Sequence, residues 1–266
     1  MTNYLEIKAL KQKILNFKGK PKNDRKKDDE HLSGYNYLCN EILEFEYKIR
    51  GLTLPSESEL IKNQDYKGAL KGLKYNGIFR CLFKIDFKNF YPSIVREYDL
   101  QPSWDKYNIF KLLVSRLIQI SDMDLSPDER KKIKLFMVHF CYGFLAYRLS
   151  PFCDREFAGT VVRKGKKIMR MAIDRVRKIQ PATKVILIDT DGFIVNIEKK
   201  NFDTTYIEEA KRITNGLNKF LKYKHIKLKF EGFYTEGRFY NVHDYYLYNE
   251  FSREYIRKPN TRPINI

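Results

Sequence analysis

Two apolar segments that run directly into aspartates constrain this chain more than any other feature. One is CLFKIDF (81–87), which ends on Asp86 and Phe87; the other is VILIDTDGFIVNI (185–197), in which two apolar runs meet through Asp189-Thr190-Asp191-Gly192. Short runs of β-formers bounded by turn residues read as strands, and D-T-D-G between two of them reads as a hairpin. Residues two apart in a strand point to the same side, so Asp189 and Asp191 are expected close together. Neighbouring carboxylates repel and raise one another's pKa, a cost that a divalent cation removes. Mg²⁺ favours one or two carboxylates plus phosphate oxygens. Two such ions, about 3.5–4 Å apart, can activate an attacking hydroxyl and stabilise a leaving pyrophosphate. A bare DTDG also serves as an ordinary turn, an Asp at a strand end says little alone, and D-x-D pairs occur in metal-dependent glycosyltransferases.

Helical patterns surround these strands. Residues 34–50 carry apolar residues at helical spacing (Tyr37, Leu38, Ile42, Leu43, Phe45), and NIFKLLVSRLIQI (108–120) does the same. Ser126-Pro127-Asp128-Glu129 is a capping box with proline at the first helical position. It predicts a helix through HFCYGFLAYRL, which would pair with 108–120 as a hairpin. A basic helix is expected over 155–178, and a helix capped by Asp203 or Thr204 buries Ile207, Ala210, Ile213, Leu217 and Phe220. In the strand before Asp86, Phe79, Cys81, Phe83 and Ile85 are expected on one face. A β-rich segment covers about 226–248, followed by a basic tail.

Lys and Arg number 51 against 33 Asp and Glu, a formal charge of +18 that suits a polyanionic partner, nucleic acid before an anionic membrane. Basic residues crowd 163–178, Arg163 and Lys166 among them, and lysines interleave with tyrosines over 220–240; such patterns follow phosphates and stack on bases, although a solvated basic face accounts for many of them. No apolar run approaches the ~20 residues of a membrane span, and the N-terminus has no signal-peptide core. The cysteines Cys39, Cys81, Cys141 and Cys153 form no metal-binding spacing, so a cytoplasmic protein with reduced cysteines is expected.

Taken together, these motifs resemble family B DNA polymerases. DFKNFYPSI (86–94) is similar to their first polymerase motif and IDTDG (188–192) to their D-T-D motif. Between these, FCYGFLA (140–146) resembles the end of their asparagine–serine–tyrosine–glycine helix, and EFAGTVVRKGKKIM (156–169) the helix after it. DYKGAL (65–70) resembles their template loop. The five elements stand in family order across about 64–197. The resemblance implies an α+β polymerase palm, an antiparallel sheet backed by helices. It also implies a helical-hairpin fingers module at about 100–180, within a catalytic domain 59–266 that follows a basic helical extension 1–58. It implies metal-dependent, DNA-directed addition of a deoxynucleotide to a primer 3′-hydroxyl, with two Mg²⁺ ions and Mn²⁺ as a substitute.

In that scheme Asp86, Asp189 and Asp191 are catalytic, and Asp86, Phe87 and Asp191 hold metal. Phe87, Lys88, Asn89, Phe90, Tyr91, Lys131, Lys134 and Tyr142 serve the nucleotide, with Tyr91 under the sugar. Tyr66, Gly68, Gly143, Arg163, Lys166 and Tyr245 serve the nucleic acid. The partners implied are primer-template DNA and dNTP, together with further polymerase subunits or a processivity factor, and no membrane.

The chain also departs from the family. The helix lysine expected before Tyr142 falls on Leu135, with Lys134 one residue out of register and Lys131 a turn away. His139 and Phe140 replace asparagine and serine. Gly192 replaces the serine after D-T-D, and His243 stands where a primer-gripping lysine is expected, two before Tyr245. Asp28-Asp29-Glu30 lies in a charge run, so no proofreading site is expected, and little chain remains for a thumb. A split polymerase, a primase-like or template-independent transferase, and an idle DNA-binding subunit stand as alternatives. The Lys-, Asn-, Ile- and Tyr-rich composition suggests a phage or mobile element in a bacterial cytoplasm.

Overall fold

A computed structural model describes residues 4–18, 34–64, 68–197 and 205–258. The chain forms two compact units, Met1–Gly68 with Asn89–Lys164, and Ala69–Lys88 with Gly165–Ile266. The first is helical and the second is built on a sheet, giving an α+β protein. No helix among the described residues is long and apolar enough to cross a membrane, and all four cysteines are free and buried.

The first unit contains α1 (Tyr4–Asn16), α2 (Tyr35–Ile49), α3 (Phe90–Glu97), α4 (Ile109–Ser121) and α5 (Pro127–Val138). Helix α5 continues through a π-helical turn, His139–Gly143, into Phe144–Ala146. Asp105 starts α4 by accepting the Ile109 and Phe110 amides at 2.9 and 3.0 Å. Ser126 and Glu129 form the reciprocal cap of α5, satisfying amides that a helix start leaves open. Phe110, Phe136, Phe140 and Phe144 fill the core, and Phe110 stacks on Phe140 at 5.1 Å. Aromatic burial of this extent dominates the energetics of such a core.

Helix α2 departs from its expected stripe: Leu38, Ile42 and Leu43 are buried, but Phe45 is 55% exposed. The stripe continues instead through Glu46 and Tyr47, because a charge pair makes a glutamate acceptable inside. Arg116 of α4, 1% exposed, donates to Glu46 at 2.6 Å and to Glu6 of α1. Removing Arg116 leaves the largely buried Glu46 resting on the partly exposed Arg50, at 3.2 Å, a weakened pairing for a carboxylate in the interior. Arg116→Met is therefore expected to destabilise the protein by on the order of 3 kcal/mol, read as a lower urea midpoint. Arg116→Lys should recover only part of this, since one ammonium cannot reproduce a guanidinium fork that grips two carboxylates.

Helix α6 (Arg155–Ile179) begins in the first unit, and its residues from Gly165 belong to the second. Asp154 caps it through the Phe157 amide, 2.8 Å. The second unit adds β1 (Lys71–Leu73), β2 (Gly77–Phe87), β3 (Thr183–Asp189), β4 (Gly192–Ile197), α7 (Thr205–Leu221), β5 (Leu228–Asn241), β6 (Asp244–Asn249) and β7 (Glu254–Lys258). All seven strands form one antiparallel sheet in the order β1-β3-β4-β2-β5-β6-β7. Helix α7 packs on β5, where Asn218 clasps Leu228 through both its N–H and its carbonyl. It buries Tyr206, Ala210, Ile213 and Leu217, while Phe220 is 40% exposed and lies beneath Arg175 of α6. The residues expected to cap α7, Asp203 and Thr204, lie outside the described residues, as does Asp28-Asp29-Glu30.

The sheet curls. Leu187 of β3, Leu82 of β2, Tyr234 and Phe239 of β5 and Tyr245 and Leu247 of β6 form one buried cluster, although β3 and β6 are not neighbours. The expected single face of Phe79, Cys81, Phe83 and Ile85 is broken. Cys81 has φ 57, and Phe79 packs against the Leu82 cluster; one left-handed residue shifts the two-residue phase of the strand. The expected basic tail is partly a strand: β7 pairs with β6 in full register, Lys258 opposite Tyr245. A lysine-bearing edge strand is a common guard against edge-to-edge pairing.

Candidate active site

Strand register decides where the acids stand. Across the hairpin Asp189 pairs with Gly192, and Gly192 pairs in turn with Asp86 of β2. Residues opposed across a sheet project from one face, so Asp86 and Asp189 share a face with a residue lacking a side chain between them. Two strand spacings put their backbones about 10 Å apart. Asp191, in the turn between β3 and β4, lies one step further along, opposite Phe87, whose amide donates to its carbonyl at 2.7 Å.

The hairpin tip is strained. Thr190 has φ 55, and the Asp191 amide donates to the Asp189 carbonyl at 2.5 Å. A β-branched residue at positive φ is an outlier, and this tight three-residue turn is the rare, costly kind. It is held by the flanking ladder and by the Thr190 amide, which donates to Leu70 at 3.1 Å. Strain of this sort clusters at functional sites.

The Asp86 side chain is 2% exposed and occupies the room above Gly192. A Cβ there would stand 1.8 Å from Asp86 Oδ1 and 2.7 Å from the Ile85 carbonyl. Lys84, two residues earlier on the same side of β2, places Nζ 2.9 Å from Asp86 Oδ2 and 3.7 Å from Glu231 Oε2. The pairing of β2 with β5 slips between Lys84 and Ile85, from Gly232 to Phe230. Glu231 is thus the extra residue of a bulge, a device that re-aims side chains beside active sites. Lys229 also pairs with Glu231. Asp189 is held by Lys258 at 2.5 Å and Lys71 at 3.6 Å.

Burial pushes the Lys84 ammonium toward the neutral form, but the Asp86 charge, then Glu231, outweigh it and raise its pKa. Burial likewise pushes the Asp189 carboxyl up, and Lys258 and Lys71 more than reverse it, leaving its pKa lowered. Tyr234 is pushed to about 12, chiefly by burial, and Tyr245 is raised for the same reason. Both phenols thus stay protonated.

Among the described residues no three carboxylate, histidine or cysteine side chains converge as a ready-made cation cage. The donor set still fits Mg²⁺, which is bound through one or two carboxylates plus substrate phosphates rather than by an all-protein cage. Asp86 stands near the end of β2, and Asp191 in the turn that joins β3 to the adjoining β4. Phe87, its ring 1% exposed, can offer only its backbone carbonyl.

No family model matches the chain. It is similar in sequence to DNA polymerases. It is 25% identical over 231 residues to the DNA polymerase of Desulfurococcus sp. (strain Tok), covering 74% of this chain and 30% of that protein. It is 24% identical over 232 residues to that of Thermococcus gorgonarius, with the same coverage. With the DNA polymerase alpha catalytic subunit of Drosophila melanogaster it shares 25% over 203 residues, 64% of this chain and 13% of that one. The chain spans less than a third of the length of these relatives.

The other expected site residues divide between the units. Lys88, exposed, lies in the second unit, and its amide donates to the Lys227 carbonyl at 2.8 Å. Tyr245 is 4% exposed and stacks on Phe239, and His243 sits on the exposed β5–β6 turn. Lys166 is half-buried on the second-unit part of α6.

In the first unit, Asn89 has φ 47 and leads into α3. Phe90 and Tyr91 are buried, and the Tyr91 ring lies 4.5 Å from that of Tyr142. Tyr142 and Gly143 belong to the π-helical turn, a feature frequent at functional sites. A Cβ on Gly143 would stand 3.3 Å from His139 Nδ1, a tight approach that would need the imidazole to shift by a few tenths of an ångström. Lys131 and Lys134 are exposed on α5. Gly68 is exposed, and Arg163 is exposed and donates to Thr160 at 2.7 Å. Tyr66 lies outside the described residues.

Sequence reasoning passed over Lys84, Glu231, Lys71 and Lys258. Lys84 was readable, since residues i and i+2 of a strand share a side. Glu231 depends on a bulge and Lys258 on an edge strand that composition disguised as a tail.

Proposed function

We propose that this chain is a metal-dependent nucleotidyltransferase of the family B DNA polymerase type, adding a deoxynucleotide to a primer 3′-hydroxyl on a DNA template. The observation that carries the reading is the register Asp189–Gly192–Asp86, which brings two segments a hundred residues apart in the chain to one face of one sheet. The DNA polymerase relatives and the ordered motifs support it. Asp86 and Asp191, with the Phe87 carbonyl, would hold Mg²⁺, which supplies charge neutralisation at the phosphates and activates the attacking hydroxyl. The chain's own work is positioning and electrostatics.

Under this reading the sheet unit is the palm, and the hairpin of α4 and α5 belongs to the fingers. Tyr91 and Tyr142 contact the nucleotide, and the basic residues of α6 follow DNA phosphates with a steep salt dependence. Extension of a primed DNA template with dNTP and Mg²⁺ tests it, run beside an unprimed template and no template. Extension confined to the primed template is expected. Incorporation without primer or template would favour the priming or terminal-addition alternatives, and no incorporation with Mg²⁺ or Mn²⁺ would overturn the enzyme reading.

A further inference from the structure

The acids of the sheet are matched by lysines. Lys84 contacts Asp86 at 2.9 Å, with Glu231 at 3.7 Å, and Lys258 and Lys71 hold Asp189. Of these, Lys71 faces Asp189 across the β1–β3 ladder, and the one that bears on Asp86 is Lys84. It stands two residues before Asp86 on one side of β2, opposite Gly232, which has no side chain to crowd it, and the adjoining bulge turns Glu231 toward it. Its side chain is 26% exposed, against 2% for Asp86. A divalent ion arriving at Asp86 therefore meets a positive charge already in contact with the carboxylate, and Glu231, whose other oxygen is held by Lys229, offers that charge a second seat at Oε2.

Resting on the proposed nucleotidyl-transfer site, we propose that Lys84 is a positioning residue, a resident counter-ion that holds Asp86 in place before metal binds and passes to Glu231 when it does. The resting protein's affinity for divalent cations is set by this exchange. Lys84 lowers it by competing for Asp86 Oδ2, and Glu231 raises it by receiving the displaced ammonium.

The test is Mn²⁺ binding to the full chain without DNA or nucleotide, followed by the electron paramagnetic resonance of free Mn²⁺. Lys84→Met should bind Mn²⁺ at least roughly tenfold more tightly, because a unit charge at contact distance repels a divalent ion by more than that factor even at the dielectric of bulk water. Lys84→Arg should stay near wild type. Glu231→Gln should bind more weakly, and the Lys84→Met/Glu231→Gln double variant should match Lys84→Met, because Glu231 acts through Lys84. A purely structural lysine would not produce opposite signs that collapse in the double variant. If Lys84→Met fails to fold, Lys84→Gln takes its place.

Unchanged or weaker Mn²⁺ binding on loss of the Lys84 charge overturns the proposal, as does a Glu231 effect that persists in the double variant. Primer extension by the wild type judges the underlying reading separately. Extension together with unchanged Mn²⁺ affinity in Lys84→Met sinks only the role of Lys84. A wild type that neither extends nor binds Mn²⁺, with Lys84→Met equally inert, sinks both.

Discussion

Asp86→Asn is expected to lower primer extension by on the order of 10³-fold, with Asp191→Ala close behind and Asp189→Ala far milder. The ranking follows from the geometry. Asp86 is nearly sealed from solvent and fixed over Gly192, so its carboxylate is pre-aimed, and asparagine keeps the shape while removing the charge that a cation needs. Asp191 sits at the strained hairpin tip beside the Phe87 amide, where alanine leaves the backbone bond intact and removes only the carboxylate. Asp189 is paired with both Lys258 and Lys71, contacts that tie β7 and β1 to the hairpin, so its loss is expected to act first on the sheet. Single-turnover extension with Mg²⁺ gives the three rates, and gel-shift binding of primed DNA shows that the variants still hold their substrate. An Asp86→Asn protein that retains a tenth of wild-type rate would remove Asp86 from the reaction. A wild type that binds DNA but incorporates nothing would make this sheet a binding platform.

What could be read from the sequence was what is local. The D-T-D-G hairpin, the capping box at Ser126 and the helices over 108–120 and 155–178 follow from periodicity and turn chemistry within a dozen residues. The pairing of β2 with β4 is non-local, and no spacing rule predicts it; only the resemblance to polymerases brought Asp86 beside the hairpin. The errors share a cause in tertiary context. Phe45 fits a helical stripe as well as Glu46 does, until Arg116 arrives from another helix to neutralise the glutamate. The phase of β2 shifts at Cys81, a residue with no sequence signature of positive φ. Strand β7 reads as tail because charged residues are poor β-formers, yet pairing with β6 overrides propensity, as it commonly does in sheets. The lysine partners of the acids depend on this curl and this bulge, and so were the least visible part of the site.

Placing at Gly192 the serine that follows D-T-D in family B DNA polymerases is expected to harm this protein, not improve it. Gly192 lies under Asp86, and any Cβ at that position falls 1.8 Å from the carboxylate and 2.7 Å from the Ile85 carbonyl. The carboxylate is the end of a short side chain with no solvent to retreat into, and the carbonyl belongs to a central strand of the sheet. Something must therefore move, and the nearest candidate is the Asp86 carboxylate of the proposed centre. Overpacking of this kind costs about 1–3 kcal/mol, which calorimetry should show as a lower unfolding temperature for Gly192→Ala and Gly192→Ser alike. The larger effect is on rate. A shift of about 1 Å in a catalytic group costs on the order of 10²-fold, so both variants should lose primer extension by about that factor while binding DNA normally. Serine's hydroxyl gives no advantage, because the clash is at Cβ. If Gly192→Ser extended primers as well as wild type, Asp86 would have to be free to adopt another position, and the tight seating of its carboxylate over the hairpin would not be the working arrangement of the site.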